Sequence, residues 1–279
     1  MKLISFARDG RASYGAVVGD KVVDLGSRLG PDYPSLEALF QAGAVARVQD
    51  AVGVGGPSLA LDEIEFLLPF PNARRIFCVG ANYRKPHPLG GRVEAPANPS
   101  IFFKSTAALA PHGATLTRPT VSDQFDYEGE LAIVIGRGGH RIPAHEALSH
   151  IGGYTCFDDG SVRDFQKHSV TAGKNFVRSG SWGPWIVTAD EVPEPMRLAL
   201  RTRLNGKEVQ STTTDQMIFS LPTIIDYISS ITPLLPGDVI ATGSPEGTGA
   251  TQNPPRFLVS GDRLEFEIER VGVLANRVE

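Results

Sequence analysis

Cysteine is scarce in this chain of 279 residues: Cys78 and Cys156 stand far apart, each among apolar neighbours. That usage excludes a disulfide framework and a cysteine-built zinc site, and both thiols read as buried small hydrophobes in a reducing compartment. Histidine is sparse as well, six in all, with no HExxH and no Cys/His ligand spacing, so the common zinc motifs are missing. His145 and His150 read as surface positions on a short helix over 143–150. No apolar run approaches the ~18 residues of a membrane span. The opening MKLISFARDG lacks the apolar segment of a secretory signal, which leaves the cytoplasm as the expected location and no membrane as partner. Net charge is only −4, without a basic block or interleaved aromatics, so nucleic acid is not an expected partner.

Glycine (30) and proline (21) are plentiful, which favours many short strands and turns over long helices. Residues 2–25 read as a small β unit, KLISFAR, YGAVVG and KVVDL, broken by Gly-Asp turns. Ser35 reads as the N-cap of one or two short helices through residue 52. Pro69 and Pro71 mark the entry to a new unit, so the expected division is a small N-terminal domain, 1–68, and a main body, 69–279. The main body opens with the strand RRIFCVGANY, ending at Gly80. A Pro/Gly-rich stretch over 85–99 has no period and reads as a binding loop or lid. IFFKS is the next strand. Asn205-Gly206 predicts a type I′ hairpin, and Ser220 caps a helix whose Ile224, Ile225, Ile228 and Ile231 form one core-facing stripe. Strands return at VIATG and RLEFEIERVGVLANRV. The chain reads as α+β and β-rich.

The stretch QFDYEGELAIVIGR, 124–137, carries the chemistry. A strand has a side-chain period of two, so Glu128 and Glu130 project from one face, and Gly129 leaves the other face without bulk. Alone, such a pair is a solvated strand end. Two adjacent carboxylates nevertheless repel unless a cation lies between them, and hard divalent ions prefer oxygen ligands. The apolar strand GGYTCFDDG also ends in acid, and places Asp159, with Asp158 as its rival, where three carboxylates can converge on one sheet rim. Carboxylates with positions left open for water and substrate describe a catalytic Mg²⁺-type site.

The motifs CVGANY (78–83), FFK (102–104), DYEGELAIVIG (126–136), DDGSVRDFQ (158–166), AGKNF (172–176), LPGDVIATGSPEGTG (235–249) and the closing SGDRLEFEIERVG, in this order, resemble the fumarylacetoacetate hydrolase (FAH) family in its shorter bacterial form. The resemblance runs from about residue 72 to the end, and only weakly includes residues 1–65. It implies a mixed β-roll or sandwich core, a small N-terminal α/β domain and a homodimer. It implies Glu128, Glu130 and Asp159 as ligands of Mg²⁺, with Mn²⁺ or Ca²⁺ as alternatives. Lys174 matches the lysine that faces a substrate oxyanion. Arg163 and Gln166 match positions that orient ligands or hold the carboxylates, and for Arg163 a structural ion pair is an equal reading. Ser244 falls where the family usually has threonine, in a turn able to bind a carboxylate. Tyr83 reads either as a substrate contact or as packing; Trp182 and Trp185 read as packing.

Family hydrolases carry a His four residues after the Asn of the NY motif and a Glu three further on. Here position 86 is Pro, His87 comes one place late, and Gly90 stands where the Glu would fall, with Glu94 as a substitute. The reading is therefore a metal-dependent enzyme acting on a small 2-oxo or β-diketo acid. Its first form is hydrolysis of an acylpyruvate-type C–C bond through a metal-bound enolate, with His87 activating water. Its second form is a tautomerase, isomerase, decarboxylase or hydratase on the same site. A relative that binds metal or carboxylate without catalysis is a third reading.

Overall fold

A computed structural model describes residues 1–54, 58–84 and 95–279. The acidic strand, Gly129–Ile135, lies in the middle of the larger of two main sheets and is buried along its whole length. It pairs antiparallel with Ile151–Asp158 on one side and with Val239–Ala241 on the other. Val239–Ala241 runs parallel to Ile76–Gly80, which pairs antiparallel with Ser100–Phe103 at the sheet edge.

The unbroken apolar run of the acidic strand follows from its covering on both faces. Leu131, Ile133 and Ile135 join the core shared with the second sheet, whereas Ala132 and Val134 join the core under the N-terminal helices. The second sheet has five strands among the described residues, in the order Lys207–Thr213, Ala199–Leu204, Arg263–Ile268, Gly272–Val278, Thr115–Leu116. Its hairpin turns at Asn205 and Gly206, with φ of 53° and 81°, the left-handed pair that a type I′ turn requires. The observed architecture is the mixed α+β, strand-rich fold expected from the sequence.

Gly129 belongs to the face that meets the second sheet. A Cβ there would lie 2.2 Å from Thr202 Oγ1 and 2.8 Å from the Phe266 ring. The side opposite the two glutamates is thus filled by a neighbouring sheet, and glycine is what lets that sheet approach.

The N-terminal strands extend the larger sheet. Lys2–Arg8 pairs with Gly180–Thr188 through Lys2↔Val187 and Leu3↔Ile186, and Arg11–Val18 and Lys21–Asp24 follow outward. Ser35 caps the helix Leu36–Gln41, its hydroxyl accepting from Ala38 N at 3.1 Å. Leu36, Leu39 and Phe40 of this helix pack on the larger sheet.

Two local expectations need correction. Ile224, Ile225 and Ile228 are buried on the helix Leu221–Ile231, but Ile231, its last residue, is 64% exposed because the helix runs past the core there. His150 is buried, only 6% exposed; its Nδ1 meets Arg137 O and its Nε2 meets Arg137 Nη2, both at 2.8 Å. The strand beginning at Ile151 draws it inward. His145 is exposed as expected. Both cysteines are free and buried. Trp182 is fully buried, and Trp185 donates from Nε1 to Val271 O at 2.7 Å.

Candidate metal centre and active-site cleft

Glu128 and Glu130 lie at the open end of the acidic strand, where Gly129 pairs with Asp158. The next residue, Asp159, donates its N–H to Glu128 O at 2.9 Å, which fixes the third carboxylate beside the first two. One oxygen each from Glu128, Glu130 and Asp159 can be chosen so that all lie within 4.8 Å of one another. They form part of the wall of a cleft of about 250 Å³. Asp158 turns the other way: its Oδ1 accepts from Glu128 N at 3.0 Å, and its Oδ2 has no partner among the described residues. Burial pushes its carboxyl up to about 8, against the Glu128 N–H and Lys104, which favour the charged form. Of the two neighbouring aspartates, it is Asp159 that reaches the cleft.

Cations crowd one side of this trio. Lys174, at the end of the short helix Val170–Lys174, donates from Nζ to Glu128 Oε2 at 2.5 Å and to Asp159 Oδ2 at 2.6 Å. Lys104, whose side chain is 0% exposed, donates to Asp159 Oδ1 at 2.9 Å, to Gly160 O at 3.0 Å and to the backbone oxygen of Lys174 at 2.7 Å. Arg163 spans Asp126 Oδ2 at 2.8 Å and Glu128 Oε1 at 2.6 Å, and donates to Gln166 Oε1 at 3.0 Å. Asp126 accepts from Gly249 N at 2.7 Å and Ala250 N at 3.0 Å, which ties the 249–251 turn to the site. Burial alone would raise Glu128, but Lys174 and Arg163 outweigh it and hold the carboxyl at about 2. Lys174 stands above its ordinary value: burial opposes its charge, yet Asp159 and Glu128 prevail.

Glu130 has less help, with Lys174 acting on it only from a distance. No cationic side chain among the described residues forms an ion pair with it, and its Oε2 accepts from Gly243 N at 2.7 Å. Burial first, then Asp159 and Glu128, raise its carboxyl well above the ordinary range. Gly243 has φ of 101°, and a Cβ there would lie 2.6 Å from Asn82 Cβ. Asn82 locks this corner by donating to Thr242 O at 2.7 Å and Phe219 O at 3.0 Å and accepting from Phe219 N at 2.7 Å. An all-oxygen trio with one uncompensated buried carboxylate fits a hard divalent cation.

The remaining candidates are distributed as follows. Gln166 and Ser244 line the cleft with Lys174. The Ser244 hydroxyl accepts from Gln210 Nε2 at 2.9 Å and donates to Pro245 O over a long 3.4 Å. Gln166 has its carbonyl oxygen taken by Arg163, which leaves its amide N–H groups to offer. Arg163 points at Asp126 and Glu128 and is not among the cleft-lining side chains, an arrangement that matches the ion-pair reading. Tyr83 is buried and not among the cleft-lining residues; its backbone bridges to Met217, and its hydroxyl has no partner among the described residues. His87, with Glu94, lies outside the described residues. Lys104, Asp126, Asn82 and Gln210 had no role in the sequence reading; all but Gln210 stand in the family-like motifs, and a buried lysine closing the apolar IFFK strand was the one visible signal.

A carboxylate trio on the rim of a mixed sheet, backed by a buried lysine, has the donor set of an enzyme site that takes a divalent cation. The model of the fumarylacetoacetate (FAA) hydrolase C-terminal domain matches residues 75–279, and the chain belongs to that family. It is 38% identical over 231 residues to the oxaloacetate tautomerase YisK of Bacillus subtilis (strain 168), a match covering 81% of this chain and 76% of that one. The fumarylacetoacetate hydrolase of Exiguobacterium antarcticum superposes with a TM-score of 0.87 at 34% identity, covering 100% of this chain and 99% of that one. The maleylpyruvate hydrolase of Sphingobium sp. SYK-6, solved with manganese(II) and pyruvate, superposes with a TM-score of 0.83 at 28% identity, covering 100% and 98%. Among the described residues no helix is long and apolar enough to cross a membrane.

Proposed function

We propose that the protein is a divalent-metal-dependent tautomerase that interconverts the enol and keto forms of a small 2-oxo diacid of the oxaloacetate type. The observation that carries this reading is a buried ammonium lining the same small cleft as a carboxylate trio in which Glu130 has no ion-pair partner among the described residues. Keto–enol exchange needs negative charge stabilised on one oxygen while a proton leaves that oxygen and another arrives at the neighbouring carbon; no water is consumed. A bound Mg²⁺ or Mn²⁺ would supply Lewis acidity toward the keto and carboxylate oxygens. Glu128, Glu130 and Asp159 would hold it. Lys174, kept protonated by Glu128 and Asp159, has its three N–H donors on Glu128 Oε2, Asp159 Oδ2 and Asp159 O, and lines the cleft, where its positive charge would favour the oxygen that carries the negative charge. Gln166 offers its amide N–H groups to a carboxylate, and the Ser244 hydroxyl would join them by exchanging its long bond to Pro245 O for the substrate. Similarity to an oxaloacetate tautomerase at 38% identity supports the choice of reaction.

A second reading, C–C hydrolysis of an acylpyruvate-type acid with His87 as base, draws support from the likeness to maleylpyruvate hydrolase. The homodimer implied by the family resemblance and the division at residue 68 belong to the same proposal. The discriminating experiment follows the ultraviolet absorbance of enol-oxaloacetate with Mg²⁺ or Mn²⁺, beside pyruvate release from maleylpyruvate and other acylpyruvates. Rapid enol loss with oxaloacetate conserved supports the tautomerase. Faster acylpyruvate cleavage, abolished in His87→Ala, would replace it with the hydrolase.

A further inference from the structure

Lys174 stands where two roles collide. Its Nζ touches Glu128 Oε2 at 2.5 Å and Asp159 Oδ2 at 2.6 Å. These are two of the three carboxylates of the candidate metal set, whose oxygens lie within 4.8 Å. An ammonium bridging two members of so small a set competes with a divalent ion for their carboxylates, since Mg²⁺ takes its oxygens at roughly 2.0–2.1 Å. Two cations at such separations repel strongly in a buried site.

The helix end that carries Lys174 has a separate anchor. Lys104 holds the backbone oxygen of Lys174 at 2.7 Å and the far oxygen of Asp159 at 2.9 Å. With the Lys174 backbone and Asp159 held in this way, movement of the side chain needs only the three bonds of Nζ itself to break, including the one to Asp159 O at 3.1 Å. It already lines the cleft, and the Phe102 ring on the same wall has its centroid 5.5 Å from Nζ, an aromatic face suited to a cation.

We propose that Lys174 is the resident counter-ion of the metal-free site, and that it gives up this seat to a divalent cation by withdrawing its ammonium toward the cleft it already lines. The proposal rests on the metal reading of the trio. Lys174 would then serve twice: it neutralises Glu128 and Asp159 before loading, and it faces the substrate after loading. Metal must precede productive substrate binding, because until then the ammonium is engaged by the carboxylates.

The test measures Mn²⁺ binding by the loss of the free-ion electron paramagnetic resonance signal in wild type, Lys174→Met and Lys104→Met. A cation beside a carboxylate lowers its proton affinity by roughly one to three decades, and the same repulsion acts on a divalent ion. Lys174→Met should tighten Mn²⁺ by about tenfold or more, and clearly more than Lys104→Met, which also removes a positive charge next to Asp159 but no occupant of the seat. Independently, an amine-acylating reagent followed by peptide mass spectrometry should label Lys174 of the wild-type protein more heavily with saturating Mn²⁺ than without it. That arm needs no folded variant. Unchanged or reduced labelling on Mn²⁺ saturation, or equal tightening in the two variants, overturns the displacement. If neither wild type nor Lys174→Met retains Mn²⁺, the metal reading itself falls.

Discussion

The two sides of the cleft contrast sharply although they share one strand face. On one side Glu128 and Asp159 are met by Lys174, Lys104 and Arg163, and Glu128 is held as a carboxylate. On the other side, two residues along, Glu130 has a single backbone N–H and is pushed toward its neutral form. Burial is common to both, so burial does not decide their charge; the neighbours do. The difference separates a finished ion-pair network from a place still short of positive charge. A cation added to the site does most for Glu130.

That contrast can be broken from either end. The largest effect is expected from Lys174→Met, which should lower kcat by about 10²–10³-fold, in the range for a lost donor to developing negative charge. Substrate affinity should fall much less, and steady-state kinetics at saturating metal would separate the two. An unchanged kcat would return Lys174 to a purely structural place. Next comes Glu128→Gln, which strands Arg163 and Lys174 beside a neutral amide. Breaking a buried pair from one end costs about 3–5 kcal/mol, and urea unfolding of metal-free protein should show a loss of that order.

Gly129→Ala sharpens the contrast by leaving every charge in place. It drives a methyl group toward Thr202 and Phe266, and overpacking of this kind costs about 1–3 kcal/mol. Its unfolding should show that loss with metal affinity retained. Glu130→Gln should have the smallest effect on the metal-free protein near neutral pH and the most distinctive pH dependence. The raised Glu130 carboxyl means that the folded chain keeps a proton which the unfolded chain has released. Its contribution is therefore full below the ordinary carboxylate value and is lost as pH rises through the elevated folded one. Urea midpoints measured across that range should fall with pH in wild type and flatten in Glu130→Gln, while the same variant loses affinity for Mn²⁺. A variant as steep as wild type would place the buried proton elsewhere, with Asp158 the first alternative.

Much of this was readable before any coordinates. The acidic strand announced itself because it is covered on both faces, which demands an unbroken apolar run, and because period-two geometry puts Glu128 and Glu130 on one side. The hairpin at Asn205-Gly206 and the cap at Ser35 are set by two or three adjacent residues, and local chemistry sufficed for both. Ile231 and His150 misled for the opposite reason: a helical stripe does not say where the core ends, and a histidine before a strand does not say that Arg137 will fold over it. Lys104 escaped notice because its partners, Asp159, Gly160 and the Lys174 backbone, lie 55 to 70 positions away. Gly129 leaves its face without bulk, as its lack of a side chain implies, but what fills the room, a second sheet, comes from residues 73 and 137 positions further on and is not written in the strand.

The first strand also has a consequence beyond chemistry. Lys2–Arg8 lies against Gly180–Thr188, and its neighbours carry the sheet outward from there. Stripping away residues 1–68 would leave a strand edge with open N–H and C=O groups around Ile186 and Val187, next to apolar surface that Leu36, Leu39 and Phe40 now cover. Such an edge is a template for pairing with other chains. The amino-terminal strand and helix thus close an edge and a face that would otherwise be open to other chains.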